Sequence, residues 1–480
     1  MNMRFHTAFR PCRLAVLCAA LTLGGCALPL THPSASVDLP LTWSEATANA
    51  RLDVELDTQW WRGFHSGELE QLVEQSLAGS PDLAVATERV LQAEIATRSA
   101  GATLFPTVNL NLNTGLSGTN GAGIATTRSE ASSASLGVSY EIDVWGSNIA
   151  RLQGSRATLA ATRYDYEATR LSLVAGVSSA YAQVLAQRAR LTIARENLAI
   201  AERLFAIVEA RYRNGAASAL DVSRQRSTVL SQRDAIVPLE TTERQLLRAL
   251  AILVGSVPQG FDVKADTLAL AIPEPGMVLP AELLLRRPDL AAAEARLQAA
   301  DADIAVARAA LFPLKLNLGI SSALSSGEFG LVELSNPLNT ANLTVSLLKS
   351  IFDGGRLRGA VETTESQRRA SVETYRKTIL TALKEVEDAI ATVERGRIQE
   401  ATQRAIKAEA ERALRLSELR YREGSDTLST LLDAQRSLFS VQDTLVQQRL
   451  TRINAAVDLY KVLGGGWQLS QTDVSATTPQ

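Results

Sequence analysis

Residues 107–116 read TVNLNLNTGL, with Val108, Leu110 and Leu112 pointing one way and Asn109, Asn111 and Asn113 the other. A period of two is the mark of a strand, because successive side chains leave opposite faces. One face here is apolar and the other rich in asparagine. Such a strand either lies on a soluble core or stands in lipid with its wet face lining water. The segments around it decide between the two.

The stretch before it, PDLAVATERVLQAEIATRSAGATLFP (81–106), aligns without a gap on PDLAAAEARLQAADADIAVARAALFP (288–313), with twelve identical positions. Further on, RYRNGAASALDV (211–222) matches RYREGSDTLSTL (420–431) at nearly the same offset. The chain is therefore two copies of one unit of about 200 residues. Each copy predicts the same order of elements. A helix opens at Pro-Asp-Leu, where Asp82 or Asp289 suits the positive end of the helix dipole, and stops at Phe-Pro. A strand follows: the quoted one in the first copy, and Leu314, Leu316, Leu318 and Ile320 alternating with Lys315, Asn317, Gly319 and Ser321 in the second. Polar loops are expected at 117–134 and 321–339, and second strands return through Leu136, Val138, Tyr140 and Ile142, and through Ala341, Leu343, Val345 and Leu347. At about ten residues each, the four strands match the weak signature of transmembrane β-strands.

Long helical stretches follow at 148–214 and 354–423, neither containing proline. At 1.5 Å per residue each spans roughly 100 Å. Val177, Val184, Leu191, Leu198, Phe205 and Tyr212 recur every seven residues, as do Leu432, Phe439, Val446, Ile453 and Tyr460 in the last helix. A seven-residue repeat keeps one seam on a partner only if the helices supercoil left-handedly. Each long helix ends at RYR-x-G, with Gly215 or Gly424 suited to a left-handed cap. Shorter helices return to about Val254 and Val462. The expected organisation is a signal segment 1–25, an N-terminal segment 26–80, repeat one 81–255 with its hairpin at about 107–145, a proline-rich irregular connector 256–287, repeat two 288–463 with its hairpin at about 314–352, and a flexible tail 464–480.

Hairpins separated by helices of this length have nothing soluble to bury their apolar faces against, so lipid is the economical partner. Hydrocarbon tolerates no unpaired sheet edge, because each unsatisfied backbone group there costs several kcal/mol. Four strands cannot close a barrel, since the smallest bacterial ones have about eight. Copies of the chain must supply the rest: two give eight strands, three give twelve and four give sixteen, and twelve or more leave room for a passage.

The N-terminus carries Arg4, Arg10 and Arg13 and then LAVLCAALTLGG (14–25), too short to span a bilayer as a helix. It reads as a secretory signal. Leu23-Gly24-Gly25-Cys26 resembles a bacterial lipobox, which makes Cys26 the lipidated first residue of the mature chain. Cys12 and Cys18 leave with the signal, so no internal disulfide can form. The formal charge is −2 for the whole chain, and nothing in its distribution suggests a nucleic-acid surface. Beyond the signal there are two histidines, His32 and His65, no HExxH and no GxxxxGK loop, so neither an enzyme nor a cofactor or metal site is expected.

With the repeat, LGGC, WWRGF (60–64), LLLRRPDLAAAEARL (283–297), ARAALFP (307–313), SIFDGGRL (350–357) and LLDAQRSL (431–438) in hand, the chain resembles the TolC-type outer-membrane efflux proteins, in the lipoprotein branch serving RND-type multidrug pumps. The resemblance implies a mixed α/β membrane protein: a homotrimer with a twelve-stranded β-barrel in the outer membrane, continued by a periplasmic α-helical coiled-coil barrel. It implies a passive conduit for solutes delivered by an inner-membrane pump through a periplasmic adaptor. It also implies that the turns Asn214, Gly215, Ala216, Ala217, Ser218 and Glu423, Gly424, Ser425, Asp426, Thr427 form adaptor-docking tips, and that Asp433, Asp221 and Thr430 belong to a gate just inside them. Leu428 and Thr430 stand where aromatic or acidic residues are frequent in relatives. Two other readings compete: a structural coiled-coil lipoprotein that conducts nothing, and the outer channel of a protein secretion system.

Overall fold

The computed structural model describes residues 38–45, 57–121, 123–273, 279–312, 315–326, 338–348 and 351–467. The signal, Cys26 and His32 lie outside the described residues. A short 3-10 helix, Trp60–Phe64, is followed by helix α1 (Gly67–Gly79). Repeat one then runs through α2 (Pro81–Ala102), β1 (Thr107–Gly121), β2 (Ile124–Ile142), α3 (Ser147–Arg213) and α4 (Ala219–Leu253). Repeat two runs through α6 (Pro288–Ala309), β3 (Lys315–Ser326), β4 (Leu338–Leu348), α7 (Arg356–Arg422) and α8 (Leu428–Val462), with α5 (Pro280–Arg286) preceding it.

The four strands form one antiparallel sheet in the order β1-β2-β3-β4. Its register aligns the alternation across all strands. Val108 faces Val138, Val138 faces Ile320 and Ile320 faces Leu343, while Asn109, Gly137, Ser321 and Asn342 form the neighbouring wet row. The apolar face has no cover among the described residues: Leu110 is 67% exposed and Leu343 70%. The outer edges of β1 and β4 have no strand beside them among the described residues. No described helix is long and apolar enough to cross a membrane.

The polar loop expected at 117–134 is instead mostly strand. β1 continues to Gly121 and β2 begins at Ile124, with Gly123 at φ 89° in the turn. Serine, threonine and glycine made the stretch look like a loop, but a hairpin ladder satisfies the backbone whatever the side chains are. The first copy's strands are accordingly 15 and 19 residues long, against 12 and 11 in the second. The second loop narrows likewise, since β3 runs to Ser326 and β4 starts at Leu338; residues 327–337 lie outside the described ones.

Each strand-to-helix junction is built alike. Gly146 (φ 72°) and Gly355 (φ 88°) hold the left-handed position before the long helices. Asp143 accepts from the amides of Asn148 and Ile149 at 2.8 and 2.9 Å, and Asp353 accepts from Gly355 and Leu357 at 3.0 Å. These carboxylates satisfy amide groups that a helix start leaves without partners.

The main core gathers midway along the long helices. Trp60, Trp61 and Phe64 bury against it, with Trp60 stacked on Tyr460 at 5.2 Å, beside Val177, Tyr181, Val184, Leu250, Leu290, Val386 and Val457. Ion pairs bind the connector to this level. Arg188 donates to the carbonyls of Val263 (2.6 Å) and Ala265 (2.9 Å) and to Glu243, while Glu68 accepts from the amides of Lys264 and Ala265. The connector is less irregular than expected, since Pro280–Arg286 is helical. Arg449 ties Leu270 to the buried Glu400, which also accepts from Arg404 and Arg452. Burial alone would raise the Glu400 carboxyl, but bonds from Arg452 and the charges of Arg449 and Arg404 hold it below its ordinary value. At the N-terminal side, Trp43 is buried, and Glu387 on α7 accepts from the Ser44 amide and hydroxyl and from the Glu45 amide.

The flexible tail expected from Gly464 is fixed at its first residues. Gly464, Gly465 and Gly466 all take positive φ, and a Cβ on Gly464 would sit 1.8 Å from the Arg286 carbonyl oxygen. Only glycine fits there. Trp467 then meets Tyr164 edge-on at 5.7 Å, and residues beyond 467 lie outside the described ones.

Candidate functional site

The end of the helical hairpins farthest from the sheet holds two turns per chain. Helix α3 closes as its dipole prefers, with Arg211 and Arg213 in the last turn. Asn214 caps it, its side-chain amide donating to the Ala210 carbonyl at 2.9 Å. Gly215 turns left-handed at φ 73°, and the Ala216 amide reaches back to the Arg211 carbonyl at 2.8 Å. Ser218 then starts α4 with a full capping box. Its hydroxyl accepts from the Asp221 amide, and the Asp221 carboxylate accepts from the Ser218 amide (2.9 Å) and hydroxyl (2.8 Å). These bonds, above all that from the Ser218 amide, hold the Asp221 carboxyl below its ordinary value.

The second turn uses the same plan with different chemistry. Glu423 caps α7, Gly424 takes φ 75°, and the Ser425 amide returns to the Arg420 carbonyl at 2.9 Å. Asp426 accepts from the Thr427 amide at 2.8 Å and lies 3.5 Å from Arg420. Thr427 starts α8 by accepting from the Thr430 amide. Asp221 and Thr430 thus hold the same third position of their helices, and only Asp221 returns a bond to the backbone amide of its cap. Thr430 instead places its hydroxyl 3.2 Å from that of Thr427.

Asp433 lies one turn further into α8. Its side chain is 67% exposed and its nearest cation is Arg436 at 3.6 Å. The two candidate gate carboxylates therefore differ: Asp221 is committed to a helix cap, whereas Asp433 is available to whatever it faces. Leu428 is buried with Leu431, Leu438, Leu204, Val208 and Tyr421 in a small core that stiffens the tip.

Sequence reasoning missed the residue that joins the turns. Arg211 lies over the Tyr421 ring at 4.7 Å, donates to the Tyr421 carbonyl, and reaches the Arg422 and Ala216 carbonyls at 3.3 Å. It binds the end of α3 to the end of α7. The repeated RYR makes Arg211 and Arg420 equivalent positions, but Arg420 pairs within its own turn with Asp426. Higher up, Arg203 pairs with Glu418 at 3.1 Å and Arg190 with Asp443 at 2.5 Å, so the two hairpins of one chain are cross-linked at three levels. Among the described residues no group of histidine, cysteine and acidic side chains could hold a metal ion.

Comparison with known proteins agrees with this architecture. The sequence profile of the family described as outer membrane efflux protein matches residues 72–256 and 279–465, one match per repeat. The chain is 40% identical over 469 residues to the pyoverdine export outer membrane protein OpmQ of Pseudomonas aeruginosa, covering 95% of this chain and 97% of that protein. It is 32% identical to the probable efflux pump outer membrane protein TtgC of Pseudomonas putida, covering 95% of each. The solved structure of the outer-membrane channel OprN superposes with a TM-score of 0.81 at 27% identity, over 91% of this chain and 99% of that one.

The capping box makes a pH-dependent contribution. A carboxyl held below its ordinary value stabilises the fold above its unfolded pKa, and that contribution is lost as pH falls through the folded value. Ser218→Ala should weaken the start of α4 by about 1 kcal/mol. Asp221→Asn should loosen it at neutral pH, and its difference from the parent should shrink below about pH 4. Amide exchange over 214–222 at both pH values checks this; an equal difference at both would contradict it.

Proposed function

The chain belongs to the outer membrane efflux protein family, and from that premise we propose how this member works. It is an outer-membrane efflux channel component. In our reading three chains assemble, their sheets forming a twelve-stranded barrel and their helices a periplasmic tunnel, and solutes pass without chemistry. The single observation that carries this is the four-stranded sheet with an exposed apolar face and two open edges, standing on hairpins about 100 Å long. A scaffold lipoprotein accounts for the long helices but gives such a sheet no purpose. The likeness to a pyoverdine exporter supports a solute of that kind as cargo, handed over by an RND-type inner-membrane pump through a periplasmic adaptor.

The gate in this reading is carried by Asp433. Three copies about an axis would cluster their carboxylates, attract cations and repel one another. Asp221 contributes charge from its cap, and Thr430 sets the rim. Asp433→Ala should raise resting conductance in planar bilayers, weaken cation preference and reduce block by divalent cations added at the tip end. A variant that conducts, selects and blocks like the parent would move the gate elsewhere; parent protein that never conducts would remove the channel reading itself.

The turns Asn214–Ser218 and Glu423–Thr427 are the adaptor-docking surface in this account, six per assembly. Cysteines at Ala217 or Ser425 should cross-link to a co-expressed adaptor, and cross-links formed only from sheet-proximal control positions would refute tip docking. Cys26 carries the lipid, with each buried methylene contributing about 0.8 kcal/mol of anchoring. Cys26→Ser should lose palmitate label while the barrel keeps part of the protein in the membrane; retained label would remove the assignment.

A further inference from the structure

Just below the sheet, α2 and α3 run side by side and leave a cavity of about 780 Å³ between them. Helix α2 ends at Ala102, shortly before β1 begins at Thr107, and α3 starts at Ser147, shortly after β2 ends at Ile142. The apolar wall of the cavity is Leu104, Phe105, Leu152 and Leu159. Its charged lining is Glu94, Arg98 and Arg156. Glu94 is committed, since Arg163 donates to it at 2.9 Å. Arg98 and Arg156 are exposed, and neither side chain has an ion pair or hydrogen bond among the described residues.

The second repeat fills the same place differently. Helix α6 follows α2 at an offset of 207, and α7 follows α3 at 209, an offset that holds from Gly146 and Gly355 to Arg211 and Arg420. The counterparts of Gly101 and Arg156 are Arg308 and Glu365, which form an ion pair at 2.9 Å. Those of Glu94 and Leu159 are Asp301 and Arg368, which form another at 2.5 Å. Two ion pairs therefore bridge α6 and α7 where α2 and α3 enclose a cavity. In the first repeat the bridging arginine is replaced by Gly101 and its carboxylate partner by Arg156, so the space is empty and a cation stands where an anion would. Packing does not demand that glycine. A Cβ on Gly101 would meet nothing closer than the Leu152 Cδ1 methyl at 3.8 Å, and glycine inside a helix is less favourable than alanine. What Gly101 supplies is room.

We propose that this cavity binds the headgroup of an anionic phospholipid of the periplasmic leaflet, with Arg98 and Arg156 on its phosphate and the apolar wall against its glycerol and upper acyl carbons. The inference rests on the sheet standing in the outer membrane, and not on the gate or on the number of copies. The height fits. Arg98 lies nine residues before Thr107 and Arg156 nine after Ser147, so their Cα atoms sit no more than roughly 13 Å below the strands and the helix start. A headgroup layer is about 5–7 Å deep, and arginine extends its long side chain toward such an interface. The chemistry fits as well. A guanidinium matches phosphate oxygens with two parallel bonds, and basic pockets between helices at a membrane boundary hold anionic headgroups. The ammonium of a zwitterionic lipid would face two cations here. A free phosphate would share the arginines but make no use of the wall.

The test is native mass spectrometry of the full-length protein, extracted in detergent from outer-membrane vesicles and titrated with phosphatidylglycerol, with phosphatidylethanolamine of the same acyl chains, or with inorganic phosphate. The parent should retain phosphatidylglycerol about tenfold more strongly than phosphatidylethanolamine, and Arg98→Gln or Arg156→Gln should each weaken that retention about tenfold, the effect of losing one hydrogen bond to a charged group. Gly101→Arg combined with Arg156→Glu rebuilds the bridge of the second repeat and should abolish the preference while the native mass of the particle stays that of the parent. Equal retention of the two lipids by the parent, or a parent-like preference in the arginine variants, overturns the site. Displacement of phosphatidylglycerol by millimolar inorganic phosphate overturns the lipid assignment in favour of a free anion. A chain absent from the vesicles overturns the membrane placement beneath the proposal.

Discussion

A sheet edge cannot be left open in hydrocarbon. Every unpaired N–H or C=O there costs several kcal/mol, with no water to repay it. Among the described residues the chain builds four strands and leaves β1 and β4 each with one free edge, so its architecture is unfinished until other copies complete it. The duplication is the economical answer to that constraint. One unit supplies a hairpin and a helical hairpin, two units make a chain, and each new neighbour meets the same geometry. The wide apolar row through Val108, Val138, Ile320 and Leu343 is meaningful only if it continues around a closed surface.

Below the sheet the problem changes from backbone pairing to keeping helices of 67 residues in fixed register. Two apolar cores do part of this, one at mid-length and one at the tip. Charged side chains, in ion pairs and in bonds to backbone groups, do the rest. Arg188 and Glu68 hold the connector to α3 and α1, Glu400 gathers three arginines, and Arg211 closes the two tips on each other. Such clusters are weak sources of net stability, because desolvation offsets their attraction, but they penalise any slip that would leave one charge buried alone. Glu400 beside Arg449 and Arg452 is the strongest case, since its side chain is almost fully buried.

Much of this was legible in the sequence because the repeat fixed the order of elements twice over. The long helices begin and end within two residues of their expected bounds, at Ser147–Arg213 and Arg356–Arg422. What failed did so for physical reasons. Ser, Thr and Gly in 117–134 have the polarity of a loop, although strand pairing needs only the backbone. The heptad of α3 buries Val177, Val184 and Leu191 as expected, but Tyr212 is 48% exposed. A straight helix drifts from a seven-residue seam, so burial passes to Ala201, Leu204 and Val208 lower down. At the tip, ALDV and LLDAQRSL made Asp221 and Asp433 look alike; their distances from the caps, three residues and six, separate a capping carboxylate from an exposed one. The role of Arg211 was not legible, because its partner Tyr421 lies 210 residues away.

The claim on which the rest stands is that the outer edges of β1 and β4 are paired in the assembled protein. Amide hydrogen exchange of the membrane-embedded particle, resolved strand by strand, addresses it directly. The account predicts that amides along Thr107–Gly121 and Leu338–Leu348 exchange as slowly as those of the inner strands β2 and β3. Rapid exchange at both edge strands beside protected inner ones would mean that the sheet stays open, and would contradict the account.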